Sequence, residues 1–178
     1  MGVEAFSAGH SNLSAAELRE LLRAHAIERV ADVRRFPVSR RHPQHARRNL
    51  EASLASAGIG YLFLGDLLGG RLEPAVPLER SANRALADPA LRAWADALAT
   101  PEVERGLARL EALAREQRVA FLCAERDWRK CHRSLLSDAL LARGLRVLHL
   151  APGRPAEEHA LDPRARVAGG RVSYPSLL

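Results

Sequence analysis

Residues 119–150 read VAFLCAERDWRKCHRSLLSDALLARGLRVLHL, and three patterns follow one another within them. Val119 to Cys123 is a short apolar run that reads as a buried strand. From about His132 to Arg143 the sequence reads as a helix, closed by Gly144, and Val147 to Leu150 is apolar again. A strand, a helix and a second strand, both strands apolar throughout, predict parallel strands in a sheet covered on both faces.

The same alternation extends upstream. Val3 to Ala8 reads as the first strand and ends at Gly9-His10-Ser11-Asn12. Ser14 with Glu17 three residues on makes a capping box for a helix striped by Leu18, Leu21 and Leu22. Val30 to Val33 is the second strand, a helix with Leu50 and Leu54 stops at Gly58, and Ile59 to Leu64 is the third. Asp88-Pro89 and Thr100-Pro101 each pair an N-cap with a proline at the first helical position, opening two successive helices. Gly65 to Asn83, with Gly69-Gly70, Pro74 and Pro77, reads as a long irregular loop. The expectation is an α/β fold: a Rossmann-like three-layer sandwich with a mostly parallel five-stranded sheet and helices on both faces. Residues 1–178 are expected to form a single domain, with 151–178 as a C-terminal arm packed on it.

Composition narrows the class. The 178 residues are 47% hydrophobic and 27% charged, ordinary globular usage. No apolar run approaches the ~18 residues of a membrane span, and MGVEAFSAGH lacks the basic start of a signal peptide. Two cysteines make no disulfide framework, so a reducing cytoplasm is expected and no membrane partner. The net charge is +6, and Lys130 is the only lysine. Between Asp32 and Glu51 lie Arg34, Arg35, Arg40, Arg41, Arg47 and Arg48 with no acid, six positives that equal the whole net charge. Such a stretch suits a phosphorylated substrate or a polyanion. With Phe36 as its one aromatic, it lacks the stacking platform of a single-strand binder.

In open parallel sheets, ligands bind beyond the carboxyl ends of the strands. Those ends carry His10, Ser11 and Asn12, then Asp32 and Arg34, then Cys123 and Glu125, with Cys131, His132 and Arg133 at the next helix start. Cys131, placed at a helix start among basic residues, suits a lowered thiol pKa. Arg34, Arg40, Arg41, His132 and Arg133, with Ser11 and Asn12, are expected to bind an anion. His10, Asp32 and Glu125 are expected to supply acid–base chemistry, and Cys123 and Cys131 to act as nucleophiles or shape the pocket. Gly9 is expected to let the backbone approach a ligand. Trp128 reads as a lid over the site or as a cover on the helix. Cys123 to Arg129 matches the gap of phosphatase loops, but Glu125 and Asp127 would repel the anion such a loop cradles. No metal is expected: the cysteines lack Cys-x-x-Cys spacing, and the adjacent Cys131 and His132 would have trouble pointing at one ion.

Gly9-His10-Ser11-Asn12, Asp32-Val33-Arg34, Pro37 with Ser39-Arg40, Leu68-Gly69-Gly70, Cys123-Ala124-Glu125 and Cys131-His132-Arg133 occur in this order. On these motifs, with Glu158-His159, Gly169-Gly170 and Tyr174-Pro175 in the tail, the chain closely resembles the bacterial domain-of-unknown-function family numbered 488. That resemblance implies a fold and one pocket built from the strand-end residues, but no established reaction. A fainter likeness is to rhodanese-type sulfur transferases, from Asp32-Val33-Arg34 and the strand ending in Cys123. Three functions stand open: an enzyme acting on a phosphate-bearing substrate (a nucleotide or a nucleic acid), a rhodanese-like thiol enzyme using Cys123 or Cys131, and a non-catalytic nucleic-acid-binding module using the patch from Arg34 to Arg48. The expected partner is an anionic small molecule or a nucleic acid. The sequence names no cofactor and no oligomeric state.

Overall fold

A computed structural model describes residues 2–176; Met1, Leu177 and Leu178 lie outside the described residues. Strands β1 (Glu4–Gly9), β2 (Arg29–Asp32), β3 (Gly60–Phe63), β4 (Val119–Cys123) and β5 (Arg146–Leu150) are parallel, in the order β3-β2-β4-β1-β5. All five expected strands are present. The sheet nevertheless has six, because β6 (Glu157–Glu158) adds antiparallel to β5. The count of five missed it because a two-residue edge strand of exposed glutamates carries no apolar signal.

Side chains alternate across each strand, and the strands bury both sides. Ala5, Ala31, Phe121 and Val147 pack with α3 (Gly65–Leu68), α4 (Pro89–Ala97), α5 (Pro101–Glu116) and α6 (Arg133–Ala142). Phe6, Val30, Leu122 and Leu150 pack with α1 (Ala15–Ala24) and α2 (Arg47–Ala55). The caps fall where the sequence puts them. Ser14 and Glu17 form the capping box, Asp88 accepts from the amides of Ala90 and Leu91, and Thr100 accepts from Val103. Gly144 ends α6 with φ +84°.

Two segments depart from the expectation. The stretch from Gly65 to Asn83 is not wholly irregular. It opens with the one-turn α3, whose Leu68 is buried, and contains a 3-10 turn at Leu78–Arg80. One turn is too short to show a helical period. The tail adds a hairpin, β7 (Arg166–Ala168) with β8 (Arg171–Ser173), turning at Gly169 and Gly170, both at positive φ. Val172 and Tyr174 join the core, and the Tyr174 hydroxyl donates to Asp138 Oδ2 at 2.6 Å. No helix among the described residues is long and apolar enough to cross a membrane.

The topology decides where a ligand would go. β1 and β4 are neighbours, yet α1 leaves β1 for one face and α6 leaves β4 for the other. Chain connections therefore diverge between these two strands, and a crevice opens beyond their carboxyl ends.

Candidate functional site

A cavity of about 480 Å³ occupies that crevice. It is floored by His10 and Ser11 after β1, Arg34 and Arg35 after β2, Cys123, Ala124, Glu125 and Arg126 after β4, and Cys131 and His132 before α6. The amides of His10 and Ser11 donate to the carbonyls of Cys123 and Ala124, so the sheet ladder runs on into the crevice. Gly9 serves this closeness. A Cβ there would collide with the Glu125 carbonyl, so its freedom admits the loop after β4 rather than the ligand expected from the sequence.

Arg34 is the most elaborately held group. Asp32, fully buried, takes its Nε and Nη2 in a two-pronged pair at 2.8 and 2.6 Å. Arg34 Nη1 donates to the His45 carbonyl at 2.7 Å and meets His10 Nε2 at 3.1 Å. A guanidinium has five N–H donors, four are engaged, and the fifth, on Nη2, belongs to a side chain 6% exposed that lines the cavity.

The same geometry sets what Asp32 and His10 can do. Asp32 accepts four hydrogen bonds, from the Arg34 amide, Arg34 Nε, Arg34 Nη2 and the Tyr61 hydroxyl. No lone pair is left for a base, and Asp32 does not line the cavity. An arginine only donates, so His10 Nε2 accepts from Arg34 and His10 Nδ1 carries the proton, given to the Ser11 carbonyl at 3.1 Å. Burial, then the nearby His45 and Arg34, lower the His10 pKa to about 3. It is a neutral ring with both nitrogens occupied. Asp32 and His10, expected to transfer protons, are positioned as the scaffold of Arg34.

Glu125 faces the cavity from an exposed loop, and its Oε1 accepts the Asp127 amide at 3.3 Å. That loop is clamped by Arg133, which is nearly fully buried, donates to Ser7 Oγ at 3.0 Å and to the Glu125 carbonyl, and does not line the cavity. Asn12 also stands outside, its Oδ1 accepting from Arg126 at 2.7 Å. Arg40 and Arg41 are exposed and take no part in the cavity wall. These four, expected to bind substrate, are not brought to it.

Cys123, Cys131 and His132 converge. One potential ligand atom from each lies within 4.8 Å of the others, and Cys131 Sγ is 3.5 Å from His132 Nδ1. The expectation that neighbours in sequence would diverge is corrected here: Cys131 is extended and His132 turns into the helix, which swings both side chains to one side. A hydrogen bond from the Cys123 thiol, with His132 and Arg133 beside it, holds the Cys131 thiol well below the usual range, while that pairing and burial push Cys123 up.

Trp128 is no lid. It stacks on His149 at 3.9 Å, with Arg129 over its ring at 4.3 Å. Arg129 also pairs with Glu157, so it does not face Cys123 as a phosphatase loop would require.

The sequence reading missed Arg71, Asp88 and Leu91 on the far wall. Arg71 directly follows Leu68-Gly69-Gly70, which was the available signal. Arg71 and Ser11, both cavity-lining, have φ of +59° and +43°, two of the three non-glycine residues in the left-handed region among those described.

No curated protein and no solved structure matches the chain, so the sulfur-transferase likeness gains no support. A family model matches residues 14–140, a span that starts after the Gly9–Asn12 turn and includes Asp32, Arg34 and the segment from Cys123 to Arg133. The chain belongs to the family described as Domain of unknown function DUF488.

Proposed function

We propose that the protein is an enzyme acting on a phosphate-bearing substrate bound in this cavity. One observation carries the reading. The cavity is lined by Arg34, Arg35, Arg71, Arg126 and Lys130 against Asp88 and Glu125, and its one buried cation, Arg34, is prefixed with a donor to spare. A guanidinium whose orientation is already fixed loses little freedom on meeting a phosphate oxygen. Arg34 orients the anion, the exposed cations draw it in, and Glu125 serves as the acid–base group. Nucleotides and nucleic-acid ends are the substrate classes this arrangement suits.

The test is a paired panel of phosphorylated compounds and their dephosphorylated counterparts, measured for binding and for turnover. Binding should require the phosphate, and Glu125→Gln should lose turnover while keeping affinity. Equal binding of both members of every pair would refute the reading.

A thiol enzyme is the second reading, favoured by the Cys131–His132 pair facing the same cavity. It predicts the opposite pattern, with turnover lost in Cys131→Ser and kept in Glu125→Gln. The binding-module reading keeps Arg35, Arg40, Arg41, Arg47 and Arg48 at the surface but not Arg34. Arg34 is buried, Arg35 lines the cavity, and Arg47 lies over the Phe63 ring at 4.5 Å.

A further inference from the structure

We propose that Cys123, Cys131 and His132 form a three-ligand site for a soft divalent cation, zinc by preference, with its fourth position open to the cavity. Two thiolates and an imidazole are the donor set zinc favours, and three protein ligands with one open position is the pattern of catalytic rather than structural zinc.

Distances support it. Zinc bonds of about 2.3 Å to sulfur and about 2.1 Å to nitrogen at a tetrahedral angle put the sulfur and nitrogen about 3.6 Å apart. Cys131 Sγ and His132 Nδ1 are 3.5 Å apart. The same geometry asks for about 3.8 Å between sulfurs, and all three donor atoms already lie within 4.8 Å of one another. Closing the set needs at most about an ångström of side-chain movement, which a χ1 adjustment of the half-buried Cys123 supplies.

A second observation is how the imidazole is held. Gly70 faces His132, and a Cβ there would stand 2.6 Å from Nδ1. The same Cβ would stand 3.0 and 3.1 Å from Cγ and Cε1, so the glycine lies against the face of the ring and holds it flat, with Nδ1 turned to Cys131 Sγ. The ring cannot swing freely to use another atom, since Trp94 lies 5.6 Å from it on the buried side. All three donors line the cavity, so the open coordination position points at the space the anion would fill. Two thiolates neutralise the dication, and each ligating thiol gives its proton to solvent. A cation there would polarise a phosphate oxygen held by Arg34.

The site is tested with the metal alone. Cobalt(II) is titrated into the reduced, metal-free full-length protein, followed by displacement with zinc. The expected result is a thiolate-to-cobalt charge-transfer band saturating at one equivalent and abolished by one equivalent of zinc. Cys123→Ser should weaken binding by more than about 100-fold, beyond what loss of an outer-shell partner costs. Gly70→Ala, which removes no ligand, should weaken it as well, with folding of both variants checked by circular dichroism. Saturation without a thiolate band, no saturation, or unchanged affinity in both folded variants would overturn the proposal. Inorganic phosphate binding to the metal-free protein is measured separately. Failure of the metal site and failure of the phosphate reading are thereby told apart.

Discussion

Acidification should unfold this protein through imidazoles that are buried neutral. His149, on β5, is 4% exposed and stacked under Trp128. Its Nε2 lies 3.0 Å from His159 Nδ1, and His159 Nε2 lies 2.8 Å from Asp138 Oδ1. Asp138 can only accept, so His159 donates to it and His149 donates to His159. His149 Nδ1 is left buried with no partner among the described residues, and a proton placed there would meet nothing. Burial, then the charges of His159, Arg133 and Arg129, lower its pKa from 6.5 to about 2. His10, 3% exposed, is lowered to about 3.

Both shifts act in one direction. Between the folded values and 6.5 the unfolded chain binds these protons and the folded chain does not, so stability is full above pH 6.5 and falls as pH drops. At pH 5.0 each residue costs about 2 kcal/mol, together about 4 kcal/mol of the roughly 5–15 kcal/mol a domain holds. His45, also lowered by burial, adds to the loss. The salt-bridged Glu111 and Glu158 have pKa values lowered from 4.5, so their contribution is lost only at more acid pH. The assay is urea unfolding at half-unit steps from pH 7.5 to 5.0. His149→Gln keeps an amide donor near Nε2 and removes the titration, so the slope should fall by about 1.2 kcal/mol per pH unit. A wild-type stability flat over this range, or a slope unchanged in His149→Gln, would refute the reasoning.

Other consequences are as direct. Asp32→Asn leaves the Arg34 guanidinium buried without its counter-charge and should cost about 3–5 kcal/mol in denaturant unfolding. Tyr174→Phe removes a hydrogen bond to a buried carboxylate and should cost about 1.5–3 kcal/mol, read as a lower midpoint. Gly9→Ala drives a methyl into the Glu125 carbonyl and should cost on the order of 3 kcal/mol. It should also displace the loop that carries Glu125, seen as weakened anion binding in whatever fraction stays folded.

The legible part of this fold was what burial writes into sequence. β1, β2, β4 and β5 are covered on both faces, so they read as apolar runs. Helix starts were legible because Ser14, Asp88 and Thr100 satisfy amides a few residues away. β6 was not, since its two residues are exposed glutamates held by backbone pairing to β5 and by ion pairs to Arg129 and Arg146, none of which writes an apolar pattern. The β7–β8 hairpin was within reach, as Gly169-Gly170 between Val167 and Val172 is a turn signal.

The site divides the same way. Parallel topology sends His10, Arg34, Cys123 and Cys131 to one crevice, and that much follows from strand ends. The roles of Asp32 and His10 depend on which lone pairs are already taken, which only three-dimensional packing decides. Arg71 and Asp88 reach the cavity from segments with no strand end to announce them.

The proposed contact between Arg34 and a phosphate can be read directly. The Arg34 Nε proton is locked to Asp32 and shielded from exchange, so the side-chain signal is observable by NMR. Inorganic phosphate should shift that signal saturably, the signal identified by its loss in Arg34→Lys, and affinity should fall steeply in the variant. A signal that does not move up to tens of millimolar phosphate, or equal binding in Arg34→Lys, would contradict the account.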